Sequence, residues 1–398
     1  MNIDAYRDLN PPARVLLGPG PSNVHPRVLR AMSMPTIGHL DPEFLKVMDD
    51  SMELLRSLFK TANSLTIPVS GTGSAGMEAA LVNFVEPGDK VVIGHNGLFG
   101  ERMIDVARRC GADVVPVTAD WGQIIEPDAI KAALNGNARV KLVCLVHAET
   151  STGAWQPLEE IGRLARAHDA LFLVDTVTSL AGCDVQVDNW GIDICYSGTQ
   201  KCLSCPPGLA PLTVGERAIR ALEARKTKVQ SWYLDLSMVR QYWGSGRLYH
   251  HTAPVNMIYA FRESLRLIHE EGLDNRFARH RLYGDALQAG LKAMGMELYA
   301  QEGHRLPVLT AVRIPEGVED LKVRQTLLSE FGIEIGGGLG PLKGKAWRIG
   351  LMGYSSTEPN LVLLLTALEA VLPRFGFKVE GGSGPAAAVD SIRQSGPA

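Results

Sequence analysis

The segment YSGTQKCLSCPPG, residues 196–208, sets one lysine, Lys201, just past the apolar run IDICYS, with Cys202 and Cys205 beside it in a C-x-x-C arrangement. Several chemistries use such residues. A lysine amine condenses with carbonyl compounds where desolvation or nearby positive charge favours its neutral form. A C-x-x-C pair serves zinc or thiol–disulfide exchange. Zinc needs four ligands, and no second C-x-x-C or Cys/His pair has suitable spacing. A thioredoxin-type pair opens a helix in a much smaller domain, and Pro206-Pro207 suits neither use. Both thiols are therefore expected to be small packing residues. In Tyr249-His250-His251-Thr252, adjacent histidines of an extended segment face opposite ways and chelate poorly, so no metal is expected.

Other stretches offer what a carbonyl-binding lysine would need. SGTGSAGMEAALVNF, residues 70–84, places Gly71, Gly73 and Gly76 between an apolar run and a helical pattern. Glycines let the backbone approach a phosphate, and a helix start supplies free N–H donors. A dinucleotide site would also want an acidic residue ending the next strand, where VVIGHN has Gly94, His95 and Asn96. A phosphate cradle thus survives, and a nicotinamide-dependent dehydrogenase is the weaker reading from another class. In ALFLVDTVTSL, Asp175 ends an apolar run; it is a ligand-facing anion or a cap of the next segment. HAETSTG ends the preceding run with Thr150, Ser151 and Thr152 as donors. Pyridoxal phosphate (PLP) asks a protein for a lysine, an anion for its ring nitrogen and a phosphate cradle. Lys201, Asp175 and the Gly71–Ser74 turn are those three. Arg348, in the apolar stretch AWRIGLM, needs an anionic partner such as a substrate carboxylate, or exposure on a sheet face. IGGGLGPLKGK, residues 335–345, fails as a P-loop, because Ala346 follows Gly344-Lys345 and Leu339 stands where a glycine belongs. A mobile loop is expected there.

The elements that must position these groups are legible as texture. LTIPVS, KVVIGH, DVVPV, KLVCLVH, ALFLVD, DICYS and LAPLTV alternate with helical patterns near 74–85, 100–110, 126–135, 157–168 and 215–226. The runs are mostly continuous rather than alternating in polarity, as for strands buried on both faces of a mainly parallel sheet. Past about residue 270 a smaller α+β unit follows, and the small, polar stretch EGGSGPAAAVDSIRQSGPA reads as a tail. At 398 residues, 45% apolar and 21% charged, with a net charge of −3, the chain has the composition of a soluble two-domain protein. That charge does not point to nucleic acid or an anionic membrane. The start has acids and prolines where a signal peptide is basic and then apolar, and the cysteines read as reduced thiols. A cytoplasmic enzyme is expected.

LLGPGPSNVHPRVLRAM, SGTGSAGMEAALVNFVEPGD, HAETSTG, LVDTVTSL, GIDICYSGTQKCLSCPPG, LYHHTAPV and GKAWRIGLMG together closely resemble the class V aminotransferases, nearest the alanine–glyoxylate and serine–glyoxylate group. The resemblance runs from about residue 15 to 380. It implies the fold-type I PLP-dependent transferase architecture: a large domain, 26–270, with a mainly parallel seven-stranded sheet, and a small C-terminal domain with tail, 271–398. It also implies a homodimer with sites at the interface and residues 1–25 packing on the partner subunit. By resemblance Lys201 binds the cofactor's aldehyde, Asp175 partners its ring nitrogen, and Thr72, Gly73 and Ser74 hold its phosphate. Thr150 donates beside the ring, Gln200 contacts the ring oxygen or the phosphate region, Phe99 stacks on the ring, Tyr249 and Thr252 reach the phosphate from the other subunit, and Arg348 grips the substrate carboxylate. Phe99 stands where some relatives have tryptophan, and Ser74 where some have histidine. The implied reaction moves the amino group of alanine or serine to glyoxylate. An aminoethylphosphonate–pyruvate transaminase or cysteine desulfurase-like enzyme is the alternative on the same fold. A desulfurase needs a cysteine on its mobile loop, and 335–345 has none.

Overall fold

The computed structural model describes residues 8–396. The seven apolar runs form one sheet: β1 (Leu65–Ser70), β2 (Lys90–His95), β3 (Asp113–Thr118), β4 (Val140–Val146), β5 (Leu171–Asp175), β6 (Ile194–Tyr196) and β7 (Leu209–Val214). Their order is β1-β7-β6-β5-β4-β2-β3. Strand β7 runs antiparallel to both β1 and β6, and every other pairing is parallel. Every residue of β5, β6 and β7 is buried, which is why these runs carry no polar alternation. Helices Gly73–Phe84, Leu98–Arg109, Pro127–Asn135, Glu159–Ala167 and Glu216–Glu223 fall where the sequence patterns put them.

Two apolar cores result. The first surrounds the seven strands and includes Phe44, Ile67, Phe84, Phe172 and Phe261. The second joins Leu17, Leu287, Leu327, Trp347, Ile349 and Leu364. Helix Val255–Glu271 feeds the first core and helix Leu273–Ala293 the second, with Gly272 (φ 82°) turning the chain between them. In the second core, β8 (Leu309–Arg313), β9 (Gly336–Gly337) and β10 (Ala346–Gly350) form an antiparallel sheet in the order β8-β10-β9. The strand-like run IEIG is split. Ile333–Glu334 pairs in parallel with Val15–Leu16, while the glycines that follow pair with β10.

Residues 14–25 are tied to their own chain, beginning with the Arg14 bond to the Leu328 carbonyl at 2.9 Å. Leu17 enters the second core, and its carbonyl accepts from Gly350 N at 2.8 Å. Residues 1–7 of the expected partner-binding segment lie outside the described residues.

The tail reading is corrected. Ser383–Ser395 is a helix packed against Leu273–Ala293, with Gly384 and Ala388 buried. A Cβ at Gly290 would lie 2.9 Å from the Gly384 carbonyl oxygen, so small residues let the two backbones approach. The composition that resembled a linker is a close helix contact.

Candidate active site

Parallel strands end together, and here the ends carry the chemistry. The Gly71–Ser74 turn follows β1, Phe99 lies just beyond β2, Thr150 beyond β4, Asp175 ends β5, and Gly198–Lys201 follow β6. The turns after β1 and β6 nearly touch. A Cβ on Gly73 would sit 3.1 Å from Val177 Cγ2 and 3.6 Å from Gly198 Cα. Gly71 has φ 132°, a left-handed conformation open to glycine. Thr72 caps helix Gly73–Phe84 without a side-chain bond, and the helix has no acid in its first turn. The N–H groups of Gly73 and Ser74 thus have no side-chain cap, beside exposed Thr72 and Ser74, while Ala75 N bonds the Thr72 carbonyl at 2.8 Å.

Asp175 is buried. Its Oδ1 accepts from Val177 N at 2.8 Å and its Oδ2 from the Tyr196 hydroxyl at 2.7 Å. The Val177 bond is the cap that the sequence offered as the bland alternative, and it coexists with a place among the strand ends. Burial pushes the carboxyl up to about 6, against the two hydrogen bonds and the charges of Lys201 and Arg102. Lys201 is buried as well, and its amine donates to the Pro19 carbonyl. Desolvation first, and the Arg348 charge second, lower its pKa to about 8. Gly20 (φ 112°) lies against its stem, where a Cβ would come within 2.7 Å of Lys201 Cδ.

Arg348 comes from β10 of the second core. It is buried, yet among the described residues it forms no ion pair. Nε donates to the Gly337 carbonyl at 2.8 Å and Nη1 to the Thr150 carbonyl at 3.4 Å. Burial lowers its pKa to about 10. The sequence left an anion or exposure as its two fates; among the described residues it has neither. A buried guanidinium with donors to spare is a receptor for an anion.

Two groups were not singled out from the sequence. Glu149, in HAETSTG, is buried and binds the start of helix Leu98–Arg109, accepting from Phe99 N at 3.1 Å and Gly100 N at 3.3 Å. Its other oxygen accepts from Ser151 N and Oγ. It thereby fixes the backbone that carries Phe99, whose ring has the Arg102 guanidinium 5.0 Å from its centroid. An acid two residues before Ser151, at a strand end like Asp175, was the available signal. Tyr196 is the second, legible only once β5 and β6 pair.

The family model for Aminotransferase class-V matches residues 15–357. The chain is 44% identical to the (S)-ureidoglycine–glyoxylate transaminase of Bacillus subtilis (strain 168), over 99% of each chain. The crystal structure of the ureidoglycine–glyoxylate aminotransferase from Bacillus subtilis superposes with a TM-score of 0.95 at 46% identity, covering 97% of this chain and 100% of that one. That of alanine–glyoxylate aminotransferase from Nostoc sp. does so with a TM-score of 0.91 at 50% identity, covering 94% and 99%.

This chain is a class V aminotransferase. Its fold is the fold-type I one and its cofactor is PLP, which sets the dinucleotide reading aside. The residues of this aminotransferase fit that cofactor. Gln200 Oε1 is buried with no hydrogen-bond partner, beside a lysine and a carboxylate that burial has pushed toward neutrality. Thr150 Oγ1 pairs with Thr178 Oγ1 at 2.5 Å. Tyr249 and Thr252 are exposed and stand apart from this cluster. Tyr249 lies tilted against His39, at 5.3 Å between centroids, and in the same segment His251 Nε2 lies 3.2 Å from Ser70 Oγ, at the end of β1 just before the Gly71–Ser74 turn. Cys202 and Cys205 are buried unpaired thiols, as expected, and burial pushes Cys202 up to about 12. Cys202 packs against Gly182 and its Sγ reaches the Thr178 carbonyl, so a small side chain is required there. No helix among the described residues is long and apolar enough to cross a membrane.

Proposed function

We propose that this aminotransferase moves the amino group of a small α-amino acid, alanine or serine, to glyoxylate, giving glycine and pyruvate or hydroxypyruvate. The observation that carries the reading is the pair Lys201–Arg348: a lysine amine whose basicity is depressed by burial and then by the Arg348 charge, and a buried guanidinium that forms no ion pair among the described residues. Glyoxylate as acceptor is supported by the names of the relatives, which share it.

PLP, when bound, supplies an aldehyde that exchanges amino groups and a ring that withdraws electrons from the substrate Cα. Lys201 would hold the aldehyde, Asp175 the ring nitrogen, Thr72, Gly73 and Ser74 the phosphate, Phe99 a ring face, and Thr150 and Gln200 the ring's edge. Arg348 binds the carboxylate of the amino donor and then of the oxo acid, with two parallel N–H···O bonds. Lys201, its amine freed by the incoming substrate, would take the Cα proton as base and, once protonated, serve as the acid that gives it back. A pKa near 8 leaves part of the amine neutral at physiological pH. Burial of both groups keeps water from competing. As in the sequence reading, the enzyme acts as a cytoplasmic homodimer, with Tyr249, Thr252 and the N-terminal segment serving the partner.

A second donor, (S)-ureidoglycine, is favoured by the relative that matches over 99% of both chains. The test is a half-reaction titration of the holoenzyme with alanine, serine and (S)-ureidoglycine, following loss of its visible absorbance and recovery on adding glyoxylate. Bleaching by alanine or serine is expected. Bleaching by ureidoglycine alone would replace the donor, and no recovery with glyoxylate would replace the acceptor.

A further inference from the structure

Tyr196 is the register partner of Asp175 on the neighbouring strand and is fully buried. Its hydroxyl gives its proton to Asp175 Oδ2 at 2.7 Å. Burial, and next the Asp175 charge, raise the phenol far above its ordinary pKa, so the direction of this bond is fixed: tyrosine donates and aspartate accepts. A buried tyrosine hydroxyl needs some acceptor, and a backbone carbonyl would satisfy it. Here the acceptor is the one carboxylate that ends β5 among the cofactor-facing groups.

We infer that Tyr196 is a positioning residue, which holds the Asp175 carboxylate as an ionised acceptor turned toward the ring nitrogen of bound PLP. The inference rests on the assignment of Asp175 to that nitrogen. Asp175 and a pyridine nitrogen share one proton, and hydrogen bonds donated to the carboxylate favour the form in which the proton sits on the ring. Val177 N and Tyr196 Oη are the two direct donors to Asp175 among the described residues. Each occupies one oxygen, and a carboxylate oxygen has two acceptor sites, so one per oxygen is left for the ring N–H.

The phenol is also locked in place. A Cβ added to Gly76 would lie 3.2 Å from Tyr196 Cβ and 3.3 Å from Cδ2, so the ring lies directly on helix Gly73–Phe84. That helix begins with the phosphate turn. One side chain therefore ties the position of the ring-nitrogen carboxylate to that of the phosphate cradle.

The test compares PLP with its 1-deaza analogue, in which the ring nitrogen is a C–H. Tyr196→Phe removes only the hydroxyl. Its Kd for PLP is expected to rise roughly tenfold or more, with the analogue's Kd within about twofold of wild type. The 15N signal of ring-labelled PLP is expected to move toward the unprotonated pyridine position. Equal weakening of both ligands, or an unmoved 15N signal, would overturn the inference and leave Tyr196 a packing residue. Asp175→Ala is run beside it: if that variant does not favour the deaza analogue either, the Asp175 assignment fails and the Tyr196 inference with it. Should Tyr196→Phe not fold, replacement by p-aminophenylalanine keeps a weaker donor in the same place. An intermediate loss of PLP preference is then expected, and wild-type preference would overturn the inference.

Discussion

Arg348, in a strand of the second core, and Thr150, in the turn beyond β4, are 198 positions apart, and the Arg348 guanidinium donates to the Thr150 carbonyl at 3.4 Å. This contact brings a buried cation from the second core to the edge of the first core's sheet. Arg348→Gln keeps some hydrogen bonding but loses the charge. KM for both amino donor and oxo acid is expected to rise about 100-fold, from roughly 2–3 kcal/mol of lost charge-assisted bonding. The cofactor-free variant should also melt above wild type, since an unpaired buried charge is gone. Steady-state kinetics and thermal melts check both. An unchanged KM would put the carboxylate site elsewhere.

Lys201 links the site to pH. Its folded pKa of about 8 lies below the 10.5 of a free lysine. Between those values the unfolded chain binds more protons, so stability should rise with pH across that window. Cofactor-free wild type is therefore expected to gain on cofactor-free Lys201→Met from pH 8 to about 10.5, by up to roughly 3 kcal/mol. Denaturant melts at several pH values measure the difference, and a flat one would mean that the amine is not desolvated.

Gly20 sits where any side chain would strike the Lys201 stem. Gly20→Ala should lower PLP occupancy several-fold. Gly303→Ala is the control, because Gly303 also has positive φ (80°) but nothing within 4 Å of an added Cβ. The control isolates the backbone cost of about 1 kcal/mol. Similar PLP occupancy in both variants would show that contact with Lys201 does not matter.

Most of the scaffold was legible because its strands are buried on both faces, so LFLVD and LAPLTV announce themselves as unbroken apolar runs. Lys201, Asp175 and the Gly71–Ser74 turn stood out as candidates because each ends or follows such a run, and the structure places all three at the strand ends. What escaped depends on cross-strand or interhelical geometry. Tyr196 gains its partner from the β5–β6 register, and Glu149 from the helix start it caps. The C-terminal helix was read as a tail because residues small enough for a close helix contact also compose linkers.

Deleting residues 383–398 tests that correction. Loss of the helix would expose surface on Leu273–Ala293 and cost roughly 2–4 kcal/mol. The midpoint of urea unfolding is expected to fall. An unchanged midpoint would return the segment to the status of a tail.

The central claim is that Lys201 holds the cofactor. The most direct measurement is borohydride reduction of the PLP-loaded enzyme, followed by protease digestion and mass spectrometry of the peptides. The expected result is a phosphopyridoxyl group on Lys201, absent from Lys201→Ala treated in the same way. The label on another lysine, or undiminished turnover by Lys201→Ala, would contradict it.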